Sequence, residues 1–526
     1  MAPPLSPASR AAALRELGAS ELDLLVIGGG ITGAGIARDA ALRGVRTGLV
    51  EAVDFAAGTS SRSSKLIHGG IRYLQQGDIA LVREAATERA VLRRIAPHLA
   101  EPLLMVMPTY RMASHLKLRT GLFMFERVAP VDAGDRHQMW DRTAALKEEP
   151  LLSADGLYGA ATFTEYLTDD ARLVLANVHS AHAAGALVAN HAEVSALEAG
   201  RATVRDMLSG ETYAVRARVV VNAAGPWVDE LRKRAGVSGG RRLQLTKGIH
   251  LVVPHARLPV THSVVMTASD KRSIFVVPRD GMTYIGTTDT FYPNAVLVPE
   301  VTRADADYLL EATNRTFRGA AIRTSDVTGT WSGLRPLLAE EGKSPSEISR
   351  KDEIMVDGAT GLVSIAGGKL TAYRRMAERI VDLVGERLGR RLAPCTTSDV
   401  PLSGGEAPAP ALPAELAPHE QSRLRRLYGG HCARLLARDA SGACVDGLAG
   451  VLRAEIEHAI DEEMALTLED VLERRTRALL FDAGQGLGGV AATAAIMARR
   501  LGWDDARTAQ EIDRYRSLAA GLRSFA

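Results

Sequence analysis

The sequence has little that would tie it to an oxidising compartment, a bilayer or a nucleic acid. It has three cysteines, Cys395, Cys432 and Cys444, and no C-x-x-C pair, so we expect neither a disulfide framework nor a metal site. No run of about 20 uncharged apolar residues is present, so no transmembrane helix is predicted. The formal net charge is only +2, which argues against nucleic-acid binding.

The first 20 residues also lack the apolar core of a secretory signal. We therefore expect residues 1–20 to form a frayed tail with one helical turn. The remaining composition, 46% hydrophobic and 24% charged residues, is typical of a globular chain, and 526 residues are too many for one ordinary domain. These features favour a multidomain protein of the cytoplasm.

Residues 24–51 contain the pattern around which the chain is organised. A short apolar run leads into G-x-G-x-x-G at Gly28, Gly30 and Gly33, followed by a helical pattern, a second apolar strand and Glu51. Glycines here allow a tight turn, close approach of a pyrophosphate to a helix N terminus, and tight helix–strand packing. An acid after the second strand can accept hydrogen bonds from a ribose. The order of these features predicts a dinucleotide-binding unit.

A small, hydroxylated stretch follows at residues 58–70, GTSSRSSKLIHGG. Its backbone amides and hydroxyls suit a ligand that lies along it, and both a pyrophosphate and an isoalloxazine ring fit. A solvated serine-rich loop is the alternative, but the immediate return to apolar residues argues against disorder. The cofactor contacts predicted in this stretch are Thr59, Ser60, Ser64, Lys65, Leu66 and His68.

Several further stretches complete a recognisable set of motifs. They are DDARLVLAN at 169–177, VVNAAGPWVD at 220–229, KGIHLVVP at 247–254, IGTTDT at 285–290, WSGLRPL at 331–337 and GGKLTAYRRMAE at 367–378. Together with IGGGITGAGIARDAALRG and TSSRSSKLIHGGIRYL, they resemble the flavin-dependent glycerol-3-phosphate dehydrogenases, which belong to the FAD oxidoreductases that include D-amino-acid oxidase. The resemblance runs in order over most of residues 21–400 and continues more weakly to the C terminus.

The resemblance implies a cofactor and a reaction. The cofactor is FAD, and the reaction is oxidation of sn-glycerol 3-phosphate to dihydroxyacetone phosphate by hydride transfer from C2 to the flavin. It also implies that membrane quinone reoxidises the flavin. An oxidase of the same fold that uses oxygen, acting on glycerophosphate or on an amine or amino acid, is the alternative.

The fold class that we predict is α/β, with a Rossmann-like FAD-binding domain of glutathione-reductase type. This domain is expected to be discontinuous within residues 21–400, with segments at about 21–105, 160–230 and 350–400. Short alternating strands at about 240–345 indicate an inserted antiparallel sheet that forms the substrate domain.

A composition shift marks the end of this region. Residues 401–420 are rich in Pro, Ala and Gly and are typical of a linker, and residues 421–526 have a helical pattern. A second G-x-G-x-x-G at 484–489 lacks the flanking strands, so we expect a helix–helix loop there and no NAD site. Arg474 and Arg475 could reach a partner or a lipid surface, but a solvated helix face is the simpler interpretation.

The resemblance adds FAD contacts that the residues alone do not reveal. It implies them at the strand near residue 194, in the small-residue turn after Asn222, and in the glycine turn after residue 367. The residues are Val194, Ala224, Gly225, Gly368, Lys369, Leu370 and Thr371.

Two arginines are candidates for binding a phosphorylated alcohol, because planar guanidinium donors engage two phosphate oxygens at once. Arg72 and Arg335 each lie among small residues in an apolar context, although a surface position is the alternative. The family motifs place substrate contacts at Arg72, Tyr73, Arg335 and Lys369, and Arg335 is also assigned to catalysis.

His68 and His250 are the candidate proton acceptors. The unperturbed histidine pKa of about 6.5 suits a base near neutral pH. Either residue could instead be a structural histidine, and the sequence does not decide between them.

Residues 109–128, TYRMASHLKLRTGLFMFERV, alternate basic and large apolar side chains. Such a segment can lie in a membrane interface. An amphipathic core helix with solvated charges is the alternative, and the residues alone favour it slightly. The resemblance favours the membrane, since electrons pass to membrane quinone. It implies peripheral attachment to the inner face of the cell membrane, and it suggests a homodimer.

Overall fold

The computed structural model describes residues 4–71, 78–239, 242–339 and 352–525. These residues form two large β-sheets, helices that cover them and a mostly helical C-terminal region. The predicted α/β class with a Rossmann-like sheet and a second, mainly antiparallel sheet is confirmed.

The elements up to residue 239 alternate between the two sheets. The helices are α1 (Pro7–Ala19), α2 (Ile31–Leu42), α3 (Ile79–Ile95), α4 (Met112–Val128), α5 (Arg142–Glu148), α6 (Asp170–Ala183) and α7 (Val228–Arg234). The strands are β1 (Glu21–Ile27), β2 (Thr47–Val50), β3 (Leu66–Ile67), β4 (Glu101–Thr109), β5 (Gln138–Asp141), β6 (Gly159–Leu167), β7 (Leu187–Ala189), β8 (Ala192–Glu198), β9 (Arg201–Asp206) and β10 (Thr212–Asn222).

The elements after residue 241 complete the sheets and then form the C-terminal region. The strands are β11 (Leu243–Pro254), β12 (Ser263–Thr267), β13 (Ser273–Arg279), β14 (Met282–Gly286), β15 (Thr290–Phe291), β16 (Gly329–Leu338), β17 (Asp352–Val356), β18 (Val363–Gly367), β19 (Cys444–Val445) and β20 (Leu448–Leu452). The helices are α8 (Arg303–Thr316), α9 (Tyr373–Leu388), α10 (Pro418–Tyr428), α11 (Cys432–Arg438), α12 (Arg453–Glu463), α13 (Ala478–Phe481), α14 (Val490–Leu501) and α15 (Asp505–Gly521), with a π-helical turn at Asp470–Arg475.

The first sheet is built around β1. Its order is β17-β18-β10-β1-β2-β7, and β1 pairs in parallel with β2 and β10. Alternate residues of β1 enter two different hydrophobic cores, so the strand is buried on both faces, as is usual in parallel sheets. Ile27 is in register with Val50 and Asn222, so the carboxyl ends of three strands meet at one edge. In such sheets, ligands bind at that edge.

The second sheet draws on more of the chain than the sequence suggested. Its ten strands follow the order β15-β11-β14-β13-β12-β4-β6-β3, with β16 on β11 and β5 on β6. Strands β4 and β6 pair antiparallel from Glu101–Leu167 to Thr109–Gly159. The range of about 240–345 for the substrate domain therefore needs a correction, because β4 and the start of the predicted 160–230 FAD segment lie in this sheet. Pairing between strands 50 residues apart leaves no local pattern that would reveal it.

The N-terminal segment is a packed helix, so the prediction of a frayed tail is wrong. Ser6 caps α1, with its Oγ accepting from the backbone N–H of Ser9, and Leu14 and Leu17 are buried beneath the first sheet. The buried Arg10 donates to the backbone oxygen of Asn190 and to the Asp206 carboxylate. These long-range contacts hold the helix in place.

The C-terminal region is less separate, and less purely helical, than predicted. Strands β19 and β20 form a small hairpin within it. Its helices share one hydrophobic core with the second sheet, in which Leu472 and Leu480 accompany Trp331 and Tyr284. Within the described ranges, no helix is long and apolar enough to cross a bilayer.

The expected solvated positions of two C-terminal arginines are wrong. Arg474 and Arg475 are fully buried, and both donate to the carboxylate of Asp54 in the first sheet's β2 loop. Their partner lies about 420 residues earlier in the chain, so the surrounding sequence gave no signal of burial.

Candidate active site

A cavity of about 1330 Å³ lies at the carboxyl edge of the first sheet and extends to the second sheet. It brings together most of the residues that the sequence singled out. Those in its wall are Gly28, Gly30, Glu51, Thr59, Ser60, Ser64, Leu66, His68, Val194, Ala224, Gly225, His250, Arg335, Gly368, Lys369, Leu370 and Thr371. Gly33 and Lys65 are not in the wall, and Arg72 and Tyr73 lie outside the described residues.

The glycine turn between β1 and α2 forms one end of the cavity. Gly28 has a φ of +111°, and a Cβ there would lie 2.6 Å from the backbone oxygen of Ala223. A Cβ on Gly33 would lie 1.9 Å from the backbone oxygen of Gly28. Gly33 therefore serves the cavity indirectly, because only glycine lets α2 start this close to β1 and present its N terminus to an anion.

Glu51 closes the same end of the cavity at the tip of β2. Its carboxylate accepts from the backbone N–H of Gly29 at 2.7 Å and of Val53 at 3.0 Å. Burial raises the pKa of Glu51, although the two N–H donors oppose that shift. The carboxylate is thus fixed beside the glycine turn, in the position expected for a ribose acceptor.

The hydroxylated loop after Gly58 runs along the cavity from the glycine turn. Ser60 Oγ accepts from the backbone N–H of Ile31 at 3.0 Å, which joins this loop to the first turn of α2. Thr59 Oγ1 donates to the backbone oxygen of Leu334 in β16 at 2.6 Å, so the loop also contacts the second sheet.

The side chain of Lys65 does not line the cavity, although the sequence predicts a cofactor contact for this residue. Its Nζ donates to Asp170 Oδ1 at 2.9 Å and to the backbone oxygen of Ser61 at 2.8 Å, without solvent exposure. Burial and the nearby Arg477 cation lower the pKa of Lys65 to about 7, against the attraction of Asp170. Lys65 therefore supports the loop from behind.

His250 lies at the far end of the cavity, on β11. Its ring stacks on Trp331 with centroids 4.6 Å apart, and its Nε2 lies 2.9 Å from Ser64 Oγ. Burial, reinforced by the positive charges of Lys65 and Arg335, holds the pKa of His250 well below its usual range. His250 is therefore neutral at pH 7 and tightly held.

His68 lies in the same wall but is more accessible. Its side chain is 43% exposed, its ring lies 5.4 Å from that of Phe275, and its Nδ1 is 3.8 Å from Glu165 Oε1. Glu165 Oε2 accepts from the backbone N–H of Gly69 at 2.8 Å. Sequence reasoning missed Glu165 and Phe275, since neither belongs to a recognisable motif.

Arg335 supplies positive charge at the far end. Its guanidinium donates to Asp289 Oδ1 at 3.1 Å, to Thr287 Oγ1 at 3.1 Å and to the backbone oxygen of Thr288 at 3.2 Å. A Cβ on Gly248, on the neighbouring β11, would lie 2.2 Å from this guanidinium. Gly248 therefore makes room for the arginine.

Arg272 lies beside Arg335 in the cavity and was not predicted. It donates to the backbone oxygen of Asp289 at 2.9 Å and pairs with Asp270. The partners of Arg335 could have been found, because Thr287 and Asp289 belong to the IGTTDT stretch. No sequence signal marked Arg272.

The residues present fit an FAD molecule. The cavity offers a glycine turn, a helix N terminus and a carboxylate from the first sheet, a hydroxyl-rich loop that contacts both sheets, and histidines and an arginine from the second sheet and its connections. The missing Cβ atoms at Gly28 and Gly33 let the turn pass close to Ala223 and let α2 begin close to β1, which places the N terminus of α2 at the cavity. These contacts with FAD remain predictions for each residue.

Two family models match the chain. Residues 23–374 match the model described as FAD dependent oxidoreductase, and residues 395–508 match the C-terminal domain of alpha-glycerophosphate oxidase. The second match covers most of the helical C-terminal region.

Curated relatives are similar over nearly the whole chain. The aerobic glycerol-3-phosphate dehydrogenase of Bacillus subtilis (strain 168) is 41% identical over 510 residues, which cover 92% of each chain. The protein of the same name from Staphylococcus aureus (strain USA300) is 40% identical over 518 residues, covering 93% of this chain and 92% of the relative.

Solved structures share the fold. The glycerol-3-phosphate dehydrogenase from Bacillus halodurans, complexed with FAD, is 36% identical with a TM-score of 0.81, covering 99% of this chain and 98% of that chain. The L-alpha-glycerophosphate oxidase from Mycoplasma pneumoniae, with FAD bound, is 16% identical with a TM-score of 0.58, covering 75% and 100%. At that identity, the second likeness concerns the fold alone.

Proposed function

Because the chain belongs to the aerobic glycerol-3-phosphate dehydrogenase family of FAD-dependent oxidoreductases, with FAD as its cofactor, we propose that it oxidises sn-glycerol 3-phosphate to dihydroxyacetone phosphate and passes the electrons to quinone. The observation that carries the proposal is the position of Arg335. It lies in the same cavity as the glycine turn, on β16 of the second sheet, whereas Glu51 follows β2 of the first sheet.

Arg335 is proposed to bind the phosphate of the substrate. A phosphate dianion can accept from the same guanidinium that Asp289 now orients, and arginine suits this because its donors engage two oxygens at once. Lys369 lies in the cavity wall and adds positive charge. Arg72 and Tyr73 are proposed as further contacts on sequence grounds. This anchoring would direct the C2 carbon towards the middle of the cavity.

When bound, FAD supplies the acceptor for two electrons from the substrate C–H bond. The chain must then accept the proton of the C2 hydroxyl. We assign this role to His68, because its ring is accessible in the cavity and its Nδ1 lies 3.8 Å from the Glu165 carboxylate. His250, neutral and stacked on Trp331, is assigned to orienting Ser64 in the flavin loop.

Contact with a membrane surface is the second part of the proposal. Helix α4 exposes large apolar side chains at helical spacing, Met112, Leu116, Phe123 and Met124, each between 50% and 66% exposed. The same segment carries basic residues at Arg111, Lys117, Arg119 and Arg127. This combination favours a helix lying in the interface of an anionic bilayer, where quinone is available.

Membrane contact can be tested by vesicle co-sedimentation. The variant Leu116→Asp with Phe123→Asp should lose binding to anionic vesicles while keeping its flavin. A matched control, Val298→Asp, changes an exposed apolar residue away from α4 and should bind like wild type. Unchanged binding by the α4 variant would remove this helix from the membrane contact.

The substrate proposal is tested by an anaerobic absorbance spectrum of the purified protein before and after sn-glycerol 3-phosphate. Bleaching of the oxidised flavin bands is expected, and adding a quinone analogue should restore them. Bands that stay unbleached would refute the proposal that sn-glycerol 3-phosphate is the substrate. Rapid recovery with oxygen, and slow recovery with quinone, would favour an oxidase instead.

A further inference from the structure

The segment of residues 470–477, here called the brace, carries five charged side chains that are almost completely buried. Asp470, Glu473, Arg474, Arg475 and Arg477 are each at most 1% exposed. Buried charges are costly unless they are paired, so their partners define what the segment does. Two of those partners, Asp54 and Arg62, belong to the connection between β2 and β3 that borders the cofactor cavity.

Two arginines of the brace contact the loop that begins at Glu51. Arg474 Nε donates to Asp54 Oδ2 at 2.7 Å, and Arg475 donates to both Asp54 oxygens at 2.6 and 2.9 Å. Asp54 lies three residues after Glu51, whose carboxylate accepts from the N–H of Val53. The brace therefore fixes the loop that positions the expected ribose acceptor.

His191 extends this contact. Its Nε2 lies 3.0 Å from Asp470 Oδ2, and its backbone N–H donates to the oxygen of Val53 at 2.5 Å. Asp54, His191 and Asp470 are close enough together to suggest a metal site. However, the guanidinium groups of Arg474 and Arg475 already contact both carboxylates, so ion pairing accounts for the cluster.

Two other side chains of the brace, Glu473 and Arg477, contact the hydroxylated loop. Glu473 Oε1 lies 2.9 Å from Arg62 Nη2, and Arg62 lines the cavity. Arg477 donates to Asp170 Oδ1 at 3.1 Å and to the backbone oxygen of Ser61 at 3.3 Å. Asp170 in turn accepts from Lys65 and from the backbone N–H of Ser63 at 3.0 Å.

We propose that the brace is a positioning element of the FAD site, which holds the Glu51–Asp54 loop and the Ser61–Lys65 loop at a fixed separation and thereby sets the affinity for FAD. Both loops lie in the connection between β2 and β3, six residues apart, and one eight-residue segment contacts both. The brace acts through Asp54, Arg62 and Asp170. The inference depends on FAD as the cofactor and is independent of the substrate.

The test compares FAD release from holoenzyme variants. Glu473→Gln keeps the side-chain shape but removes the charge that faces Arg62. The control, Arg426→Gln, breaks another buried pairing of the C-terminal region, whose partners Glu101 and Asp280 belong to neither loop. Free FAD is measured in ultrafiltrates over time, and circular dichroism verifies that each sample is folded.

We expect Glu473→Gln to release FAD at least tenfold faster than wild type and to change the shape of the visible flavin band. Arg426→Gln should lower the Tm and release FAD at the wild-type rate. The proposal is overturned if Glu473→Gln releases FAD no faster than Arg426→Gln. If Glu473→Gln does not fold, Arg475→Lys takes its place in the comparison with Arg426→Gln. This variant keeps the charge but loses the two-oxygen contact with Asp54.

Discussion

Two loops in this chain have the same G-x-G-x-x-G pattern but lie in different structural surroundings. At residues 28–33 the pattern joins a buried strand to a helix, and its helix N terminus faces the cavity. At residues 484–489 it joins the short helix α13 to α14 and packs against the β19–β20 hairpin, where a Cβ on Gly488 would lie 2.4 Å from the backbone oxygen of Gly447. Both loops need glycine, but only the first needs it beside a ligand.

The difference shows what the pattern does and does not encode. A glycine indicates a position where another group comes close to the backbone, and that group can be a cofactor or another part of the chain. The preceding strand and the acid after the second strand distinguish the two cases, because they place the turn at a sheet edge where ligands bind. The following predictions test this contrast, from the largest expected effect to the smallest.

Gly33→Ala should abolish FAD binding, because the new Cβ would lie 1.9 Å from the backbone oxygen of Gly28 and force α2 away from β1. The measurement is the flavin-to-protein ratio of the folded variant. The matched change in the second loop is Gly484→Ala, whose Cβ would meet only the side chain of Asp482, at 3.0 Å. It should keep a full complement of flavin. A Gly33→Ala protein with stoichiometric FAD would contradict the assignment of the first loop.

Arg335→Gln should raise the KM for sn-glycerol 3-phosphate about 100-fold, since a lost charge-assisted contact is worth up to about 3 kcal/mol. The control is Arg257→Gln, which breaks a pair with Asp326 in the turns that follow β11 and precede β16, and it should leave KM unchanged. Steady-state kinetics with a quinone analogue provide the measurement. An unchanged KM for Arg335→Gln would place the phosphate elsewhere.

Gly488→Ala should lower the free energy of unfolding by roughly 1–3 kcal/mol, the usual cost of overpacking, without loss of flavin. The new Cβ would press on the backbone of Gly447, in the turn between β19 and β20. Denaturant unfolding and flavin content, measured on the same sample, separate the two effects. Loss of FAD from the folded variant would show that the second loop also serves the cofactor.

Glu51→Gln should weaken FAD binding about tenfold, because an amide has one acceptor oxygen where the carboxylate now has two. Equilibrium dialysis gives the Kd. The second loop has no corresponding acid, so this effect belongs to the first loop alone. The same Kd in the variant and in wild type would mean that the ribose has another acceptor.

Acid should weaken the packing of the C-terminal region. Burial lowers the pKa of His98 and His179 to about 3 and that of His431 to about 4, where α3, α6 and the C-terminal region meet. Because the unfolded pKa is about 6.5, the unfolded chain binds more protons, and stability falls as pH drops below 6.5 towards 4. Each histidine contributes roughly 1.4 kcal/mol per pH unit.

The expected result is a Tm that decreases from pH 7 to pH 5 and decreases less steeply in His431→Gln. An identical pH slope in the variant would exclude His431 as a contributor. Carboxylates also titrate below pH 5. The test therefore compares the slope of Tm against pH between the variant and wild type and does not use the slope of either protein alone.

Most of the cavity end near β1 could be predicted, because its signals are local. Gly28, Gly33 and Glu51 lie within one strand–helix–strand unit, and each is identified by residue type at a fixed spacing. The candidate substrate residues were predicted from the family resemblance, which assigned Arg335 and His250, from separate motifs, to one site. The structure places both residues in the cavity wall.

The failures share one cause, which is partners far away in sequence. Lys65 was expected to contact the cofactor because it lies in the hydroxylated loop, but Asp170, 105 residues later, binds its Nζ. Arg474 and Arg475 were expected in solvent because their own segment has a helical pattern, but Asp54 binds both. Nothing within a local window distinguishes a paired buried charge from a solvated one.

The ion pairs between Asp54 and the arginines at 474 and 475 have a consequence for how the protein is made. During synthesis, β1, β2 and the glycine turn leave the ribosome early, while the partners of Asp54 follow about 420 residues later. At roughly 5–20 residues per second, that interval lasts on the order of 20–80 s. The Asp54 carboxylate of the nascent loop therefore lacks its two arginine partners until almost the whole chain has emerged, although Asn190, which also donates to it, is made much earlier. With the role that we propose for the brace, stable loading of the cofactor would be one of the last events of biosynthesis, and a chain truncated before residue 470 would lack the contacts that hold the loop.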